Sequence, residues 1–128
     1  MTQLEELGII YSPNLTDAGL VHLQRLTQLK SLCFDNAQVG DAGLVYLKKL
    51  PQLLILSLSK TKITDAGLVH LKELKQLVRL DIYDTQITDA GIVHLKELKN
   101  LQLLQVHRTR ITAAGMSELR ESLPKCSY

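Results

Sequence analysis

One five-residue block recurs along this chain at a constant interval. Its clearest copy is Thr64-Asp65-Ala66-Gly67-Leu68, and similar blocks begin at residues 16, 40, 88 and 112. Successive blocks therefore start 24 residues apart, for example 88 minus 64. A fixed period in this range predicts a solenoid, in which small units stack and together bury a core that no single unit can bury.

The apolar spacing changes within each 24-residue unit, which we call a rung. In the third rung, Leu56-Ser57-Leu58 alternates apolar and polar residues, which predicts a strand with one buried face. Leucines then recur at every third position, which predicts one face of a short helix: Leu68, Leu71 and Leu74. Thr64 or Asp65 is suited to the N-cap of that helix. Each rung is thus predicted to run strand, turn, helix and return.

These positions resemble the signature of the leucine-rich-repeat family over essentially the whole chain. The fourth rung carries it at Leu77, Leu80, Ile82, Thr85 and Ile87. The T-D-A-G-L block is similar to a subclass abundant in bacterial, especially planctomycete, proteins. It is also similar to the cysteine-containing repeats of F-box proteins, with Thr at the Cys position. The resemblance implies an α/β solenoid, a right-handed β-α superhelix with a short parallel sheet on the concave side and short helices on the convex side.

We expect one leucine-rich-repeat domain over residues 1–128, with about five rungs. The rungs begin near residues 4, 29, 53, 77 and 101, and a closing strand falls near residues 126–128. The first rung has one extra residue around Pro13-Asn14. At the other end, Leu119 and Leu123 predict a longer last helix, which Pro124 ends.

Composition and charge exclude several functional classes. A net charge of +2 is too small to predict a nucleic-acid-binding face. The longest apolar run, Leu53-Leu54-Ile55-Leu56, is far shorter than the roughly 20 residues of a membrane span. The segment Met1-Thr2-Gln3-Leu4-Glu5-Glu6 lacks the apolar region of an export signal. Cys33 and Cys126 lie about four rungs apart, too far for a disulfide. Free thiols and the lack of a signal favour the cytoplasm.

The side chains that alternate with the buried leucines are expected to line the concave face of the sheet. Solenoids bind partners on such faces, and Tyr and Arg are the residues that most often anchor interfaces. We therefore predict a non-catalytic scaffold that binds a protein or peptide, with no cofactor, nucleic acid or membrane as partner. The candidate binding residues are Tyr11, Asp35, Lys60, Arg79, Asp81, Tyr83, Asp84, His107, Arg108 and Arg110.

Other interpretations stay open. The charged residues of this face would also form an internal salt ladder, with Asp84 between Lys60 and Arg108. Alternatively, the chain is a structural or self-assembling unit, or a fragment of a longer array, that associates through the uncapped apolar edge of the first rung. That edge contains Leu4, Leu7 and Ile9, and solenoids need polar caps for solubility.

Neither a metal site nor an active site is expected. His70 and His94 share one helix position, but a zinc site normally needs three or four ligands. No nucleophile, base and oxyanion site converge, so we expect no enzymatic activity. We interpret the valine stripe beside these histidines as packing between helices: Val21, Val45, Val69 and Val93. A column of hydroxyls is predicted to satisfy backbone groups in the turns: Thr61, Thr85 and Thr109.

Overall fold

Five short parallel strands form one sheet, in the order of the chain. The computed structural model describes residues 6–8, for which it gives the backbone alone, and residues 14–128. The strands are β1 (Glu6–Gly8), β2 (Ser31–Cys33), β3 (Ile55–Ser57), β4 (Arg79–Asp81) and β5 (Leu103–Gln105). Leu32, Leu56, Leu80 and Leu104 lie in register, 24 residues apart. Leu7 pairs with Leu32 at a spacing of 25, which confirms the extra residue of the first rung.

The helical segments of the first four rungs are mostly 3₁₀ rather than α-helical. They span Asp17–Arg25, Asp41–Lys49, Asp65–Gly67 followed by α1 (Leu68–Leu71), and Asp89–Gly91 followed by α2 (Ile92–Leu95). Strict three-residue spacing of apolar residues favours 3₁₀ geometry, because side chains three apart eclipse one another in a helix with 3.0 residues per turn. It does not require it, since α1 and α2 keep the same spacing. The fifth rung spaces Met116, Leu119 and Leu123 by three and then four residues, and forms the longer α-helix α3 (Ala113–Ser122). The predicted longer last helix is confirmed.

The core is one continuous aliphatic cluster between the sheet and the helical segments. The second residue of each strand from β2 to β5 is fully buried, as are the leucines of the facing helices, such as Leu44 and Leu68. The helical segments therefore cover one face of the sheet. The predicted α/β leucine-rich-repeat solenoid is confirmed at the level of fold.

The aspartate of each block binds the next rung. Asp65 accepts hydrogen bonds from the backbone N–H of Thr88 at 2.8 Å and from its hydroxyl at 2.5 Å. The same two bonds join Asp41 to Thr64 and Asp89 to Thr112. We call this column the Asp–Thr ladder. The aspartate thus holds two rungs together, a role that the N-cap prediction for Asp65 missed. Thr88 and Thr112 do cap their own helices through their hydroxyls.

The blocks at both ends of the Asp–Thr ladder lack one of the groups that form its hydrogen bonds. Within the described ranges, Asp17 accepts the backbone N–H of Gly40 and no hydroxyl, because glycine has no hydroxyl to donate. The last block has Ala113 in place of the aspartate, so it has no carboxylate for a further contact of this kind. These two substitutions are the imperfect copies of the repeat: Gly40 removes one of the two hydrogen bonds between the first and second rungs, and Ala113 leaves the fifth rung without a ladder carboxylate.

The glycine of each block makes room for the ladder. A Cβ atom on Gly91 would lie 2.5 Å from Asp65 Oδ1 and 2.7 Å from Leu68 Cδ1, too close for either neighbour. Gly67 meets the same constraint, because its Cβ would clash with Asp41. Ala66 is exposed, so no contact requires its small side chain.

The turns and the closing strand follow the sequence prediction, whereas the valine stripe does not. Each predicted turn hydroxyl donates to the carbonyl three residues earlier at 2.6 Å: Thr61, Thr85 and Thr109. Ser127 pairs in parallel with Leu103 as the start of a closing strand. Val93, however, is 52% exposed, and Val21 and Val45 are also exposed. These three valines therefore lie on the outer surface of the helical segments, whereas Val69 is half-buried, so packing between helices does not cover the whole stripe.

Replacing Asp65 tests the ladder. We expect Asp65→Ala to lower the free energy of unfolding by about 1–3 kcal/mol, because it leaves the N–H and hydroxyl of Thr88 without their acceptor. Urea denaturation measures the change. Glu73→Ala is the matched control, since this side chain is exposed and makes no bond among the described residues. Equal losses in the two variants would contradict the role of the ladder.

The ladder also predicts a pH dependence. The Thr112 hydroxyl, with a smaller contribution from its backbone N–H, holds the pKa of Asp89 below its usual value. The resulting stability is complete above the ordinary aspartate pKa of about 3.9 and is lost as pH falls through the depressed value. We expect Thr112→Val to raise the pKa of Asp89, measured by NMR titration of its carboxyl carbon. Thr109→Val, which removes a hydroxyl bound to a carbonyl, should leave it unchanged. An unaltered pKa in Thr112→Val would contradict this cause.

Candidate protein-binding face

The sheet face that the helical segments leave uncovered carries the first and third residues of each strand and the turn residues that follow. We call it the open face. Its rows run across the strands: Ser31, Ile55, Arg79 and Leu103, then Cys33, Ser57, Asp81 and Gln105. Two turn rows follow at the same interval: Asp35, Ser59, Tyr83 and His107, then Asn36, Lys60, Asp84 and Arg108. Backbone bonds continue the pairing into these turns, as from Lys60 N–H to the Tyr83 carbonyl at 3.1 Å.

Arg79 and Asp81 form the best-defined ion pair of the open face. The Nε atom of Arg79 donates to Oδ1 of Asp81 at 3.1 Å, and Nη2 donates to Oδ2 at 3.0 Å. These hydrogen bonds raise the pKa of Arg79 above its usual value. Asp81 is 6% exposed, whereas the Arg79 side chain is 48% exposed. Arg79 is therefore the group available to a partner, and Asp81 lies beneath it and fixes its orientation.

A second carboxylate is engaged on the other side of this pair. Asp35 Oδ1 accepts from the Ser57 hydroxyl at 2.5 Å and from the Ser59 N–H at 3.1 Å. The Ser59 hydroxyl is buried and has no hydrogen-bond partner among the described residues. Burial raises the pKa of the neighbouring Cys33 thiol. This part of the face is thus neutral apart from Asp35. The Asp35 carboxylate accepts hydrogen bonds from the end of β3 and from the turn that follows it.

Tyr83 and His107, the last two residues of the first turn row, stack on each other. Their ring centroids are 4.4 Å apart and the ring planes differ by 10°. Tyr83 is half-buried and His107 is exposed, so the pair presents aromatic surface to solvent. His107 stacks on Tyr83, whereas the carboxylate of Asp81 is bound by Arg79.

The last turn row has a shared backbone geometry. Its four residues have φ between 55° and 67°, in the left-handed region that disfavours most side chains: Asn36, Lys60, Asp84 and Arg108. Within this row Arg108 Nη1 approaches Asp84 Oδ2 at 3.9 Å. Lys60 is exposed and makes no ion pair among the described residues. The predicted salt ladder is therefore confirmed between Asp84 and Arg108 and, on the strands, between Arg79 and Asp81, but no ion pair between Lys60 and Asp84 is found in the described part of the chain.

Two candidate binding residues remain, Arg110 and Tyr11. Arg110 is exposed at the end of the fifth-rung turn, where it pairs in parallel with Thr88. Tyr11 lies outside the described residues. The rows of the open face therefore contain eight of the ten candidates, and the contacts seen among these eight are Arg79 with Asp81, Tyr83 with His107, and Asp84 with Arg108.

Sequence reasoning missed the serine contacts and the left-handed row. Ser57 and Ser59 were expected on this face but not as donors to Asp35. A signal for the left-handed row does exist in the sequence, because Asn36 and Asp84 occupy equivalent positions and both residue types tolerate this conformation. The other two positions of the row hold Lys60 and Arg108, which are not typical of this conformation, so the sequence pattern is hard to recognise.

The histidine column and the cysteines add no site. Burial lowers the pKa of His70, whose Nδ1 is buried without a hydrogen-bond partner in the described part of the chain. Over residues 6–8 and 14–128, no group of three His, Cys, Asp or Glu side chains is placed to hold a metal ion. Cys33 and Cys126 are both free thiols, which confirms that they do not pair. None of the described helices is long and apolar enough to cross a membrane.

Comparison with known proteins supports the fold described above. A family model described as Leucine Rich repeat matches residues 49–72, which contain β3 and α1. An internalin from Listeria monocytogenes is 27% identical over 83% of this chain and 29% of its own chain, with a TM-score of 0.71. This chain is a leucine-rich-repeat solenoid. No curated protein gives a significant match. The bacterial T-D-A-G-L subclass stays a prediction.

Two more distant structures share the fold of this leucine-rich-repeat solenoid. A leucine-rich-repeat protein from Leptospira interrogans is 21% identical, with a TM-score of 0.68 over 98% of this chain and 37% of its own. Actin-binding site 2 of leiomodin-1 is 19% identical, with a TM-score of 0.75 over 97% of this chain and 81% of its own. The present chain thus spans about a third of the length of the two bacterial proteins.

Relieving the left-handed backbone at Lys60 should stabilise the fold. We expect Lys60→Asn to raise the free energy of unfolding by up to about 1 kcal/mol, because Asn adopts this φ at lower cost. Lys62→Asn is the control, since Lys62 is also exposed but has no positive φ. Urea denaturation compares the two. A gain of equal size in both variants would assign the effect to charge rather than to the backbone.

Proposed function

We propose that this leucine-rich-repeat solenoid is a non-catalytic scaffold that binds a segment of another protein across its open face. The observation that carries the proposal is the stacked Tyr83–His107 pair beside the fixed Arg79 guanidinium. Tyr and Arg are the residues most enriched among interface anchors. Contacts within the face already hold these side chains in place, so binding orders fewer rotamers and keeps more of its favourable free energy.

The accessible charge of the face favours an acidic segment. Asp81 is covered by Arg79, and Asp35 is bound to a serine hydroxyl and a backbone N–H. The exposed cations outnumber the exposed acidic groups in the turn rows and just beyond them: Lys60, Lys62, Arg108 and Arg110 against Asp84. We therefore propose a partner segment that is mainly acidic.

The structural relatives support this class of function. Leucine-rich-repeat proteins are typically non-catalytic binding scaffolds that use the uncovered face of the sheet. The leiomodin-1 structure is named for an actin-binding site, and this chain covers 81% of it. At 19% identity, that similarity supports binding of a protein in general and does not propose actin as the partner.

The other parts of the proposal rest on the sequence. We propose a cytoplasmic protein without enzymatic activity or a cofactor, on the basis of two free thiols and of the lack of a converging nucleophile and base. The single domain over residues 1–128 also stays a prediction. Self-association through the N-terminal edge is untested, because Leu4 and Ile9 lie outside the described residues. At the opposite edge, Ala113 offers no carboxylate to the Thr16 of a stacked copy.

A pair of double variants tests the proposal. We expect Arg79→Ala with Tyr83→Ala to reduce recovery of bound proteins at least ten-fold in a quantitative pull-down from source-organism lysate. The reason is that it removes the fixed guanidinium and half of the aromatic stack. The control, Arg25→Ala with His22→Ala, removes an exposed cation and an imidazole from the helical side of the first rung. Circular dichroism establishes that both variants fold. Recovery of the same proteins in equal amounts by both would contradict the open face as the binding surface.

A further inference from the structure

The helical side of the solenoid carries a valine at the same outward position in four successive rungs. We call these residues the valine column: Val21, Val45, Val69 and Val93. Three of them are exposed and Val69 is half-buried. The helical segments pack against one another in chain order, so the four valines follow one another across the helical side. The fifth rung has the polar Ser117 at the equivalent position and does not continue the column.

The core of the fold does not require the exposed valines. On the open face, residues of comparable exposure differ from rung to rung, as do Ile55 and Arg79 in the first strand row. The same rungs nevertheless keep valine at this position of the helical side. Single exposed apolar residues are common on protein surfaces, whereas a contiguous group of them indicates an interaction surface. The valine column is therefore a candidate contact surface, distinct from the open face.

A charged column runs beside the valine column and changes sign halfway along it. Four positions after each valine, the chain has two cations followed by two anions: Arg25, Lys49, Glu73 and Glu97. All four side chains are exposed, and none makes an ion pair in the described part of the chain. The first and second rungs are thus positive in this column, and the third and fourth are negative.

We infer that the valine column is the contact surface between two antiparallel copies of this chain. A two-fold axis between the second and third rungs places the first rung against the fourth and the second against the third. Arg25 then lies opposite Glu97, and Lys49 lies opposite Glu73. Each pair occurs twice, because a two-fold interface is self-complementary. A copy packed in the same direction would instead place like charges of this column opposite each other.

The same axis pairs the apolar residues. Val45 lies opposite Val69, and Val21 lies opposite Val93, so the valine column of one copy covers that of the other over four rungs. The fifth rung lies beyond the paired ones, which agrees with its serine at the valine position. Apolar residues and charges therefore indicate the same axis and the same partner, a second copy of this chain.

The contact is weak. Lys48 lies opposite Lys72 in the next column, and exposed ion pairs contribute little each, so we expect a dissociation constant on the order of 100 µM. The urea and pull-down measurements are made at far lower concentrations, so their controls at Glu73 and Arg25 report on the monomer. The open faces lie on the other side of the sheets and stay free in the dimer.

Sedimentation equilibrium tests the inference, at protein concentrations from well below to well above the expected dissociation constant. We expect Lys49→Glu and Glu73→Lys each to weaken dimerisation about ten-fold or more, because each places like charges opposite each other twice. The double variant exchanges the two charges and should restore dimerisation. Val45→Ser should also weaken it, since it removes apolar contact without changing charge. The control is Lys60→Glu, the same charge change on the open face, which should have no effect.

Several results would overturn the inference. One is a wild-type protein that stays monomeric at every concentration. A second is a double variant that fails to restore dimerisation, because the antiparallel pairing requires rescue. A third is a dimer that only Lys60→Glu weakens, or that no variant weakens, since another surface then forms it. Circular dichroism establishes that each variant folds. The pull-down with the Arg79 and Tyr83 variants tests the open face separately, so either proposal can fail without the other.

Discussion

The carboxylate that joins one rung to the next is the interaction on which the rest of this structure depends. Each of Asp41, Asp65 and Asp89 accepts two hydrogen bonds from the threonine that starts the next helical segment. The bonds fix the spacing of the helical segments, and the glycine beside the carboxylate allows the close approach. The short 3₁₀ segments have few bonds of their own and are marginal in isolation. Stacking against neighbours therefore has to supply their stability.

This arrangement separates the residues that hold the fold from those that vary. The leucine columns, the Asp–Thr ladder and the turn hydroxyls repeat from rung to rung, and all lie on or below the covered side of the sheet. The open face carries a different side chain at nearly every position of its rows. Its contacts, such as Arg79 with Asp81 and Tyr83 with His107, orient side chains already presented by the backbone. A rigid backbone with a varied surface is the arrangement expected of a binding scaffold.

Much of the fold could be predicted from the repeat, because its period and its apolar–polar alternation determine which side chains are buried. Leu56 and Leu80 are in register as the 24-residue spacing requires. The predictions that failed concerned contacts between rungs, which the period of the sequence does not reveal. The role of Asp65 in holding Thr88 is one such contact. At the candidate site, the sequence identified the open-face residues but not their accessibility, because the Arg79 side chain folds over Asp81 and changes which charge a partner meets.

Amide hydrogen exchange at the threonines of the ladder tests the central claim most directly. The N–H groups of Thr64, Thr88 and Thr112 lie near the surface at helix starts, where amides usually exchange fast. If each donates to an aspartate of the preceding rung, these three amides should exchange as slowly as those of the paired strands, near the global unfolding limit. Exchange at the rate of exposed loop amides would contradict the ladder and, with it, this account of how the rungs are held together.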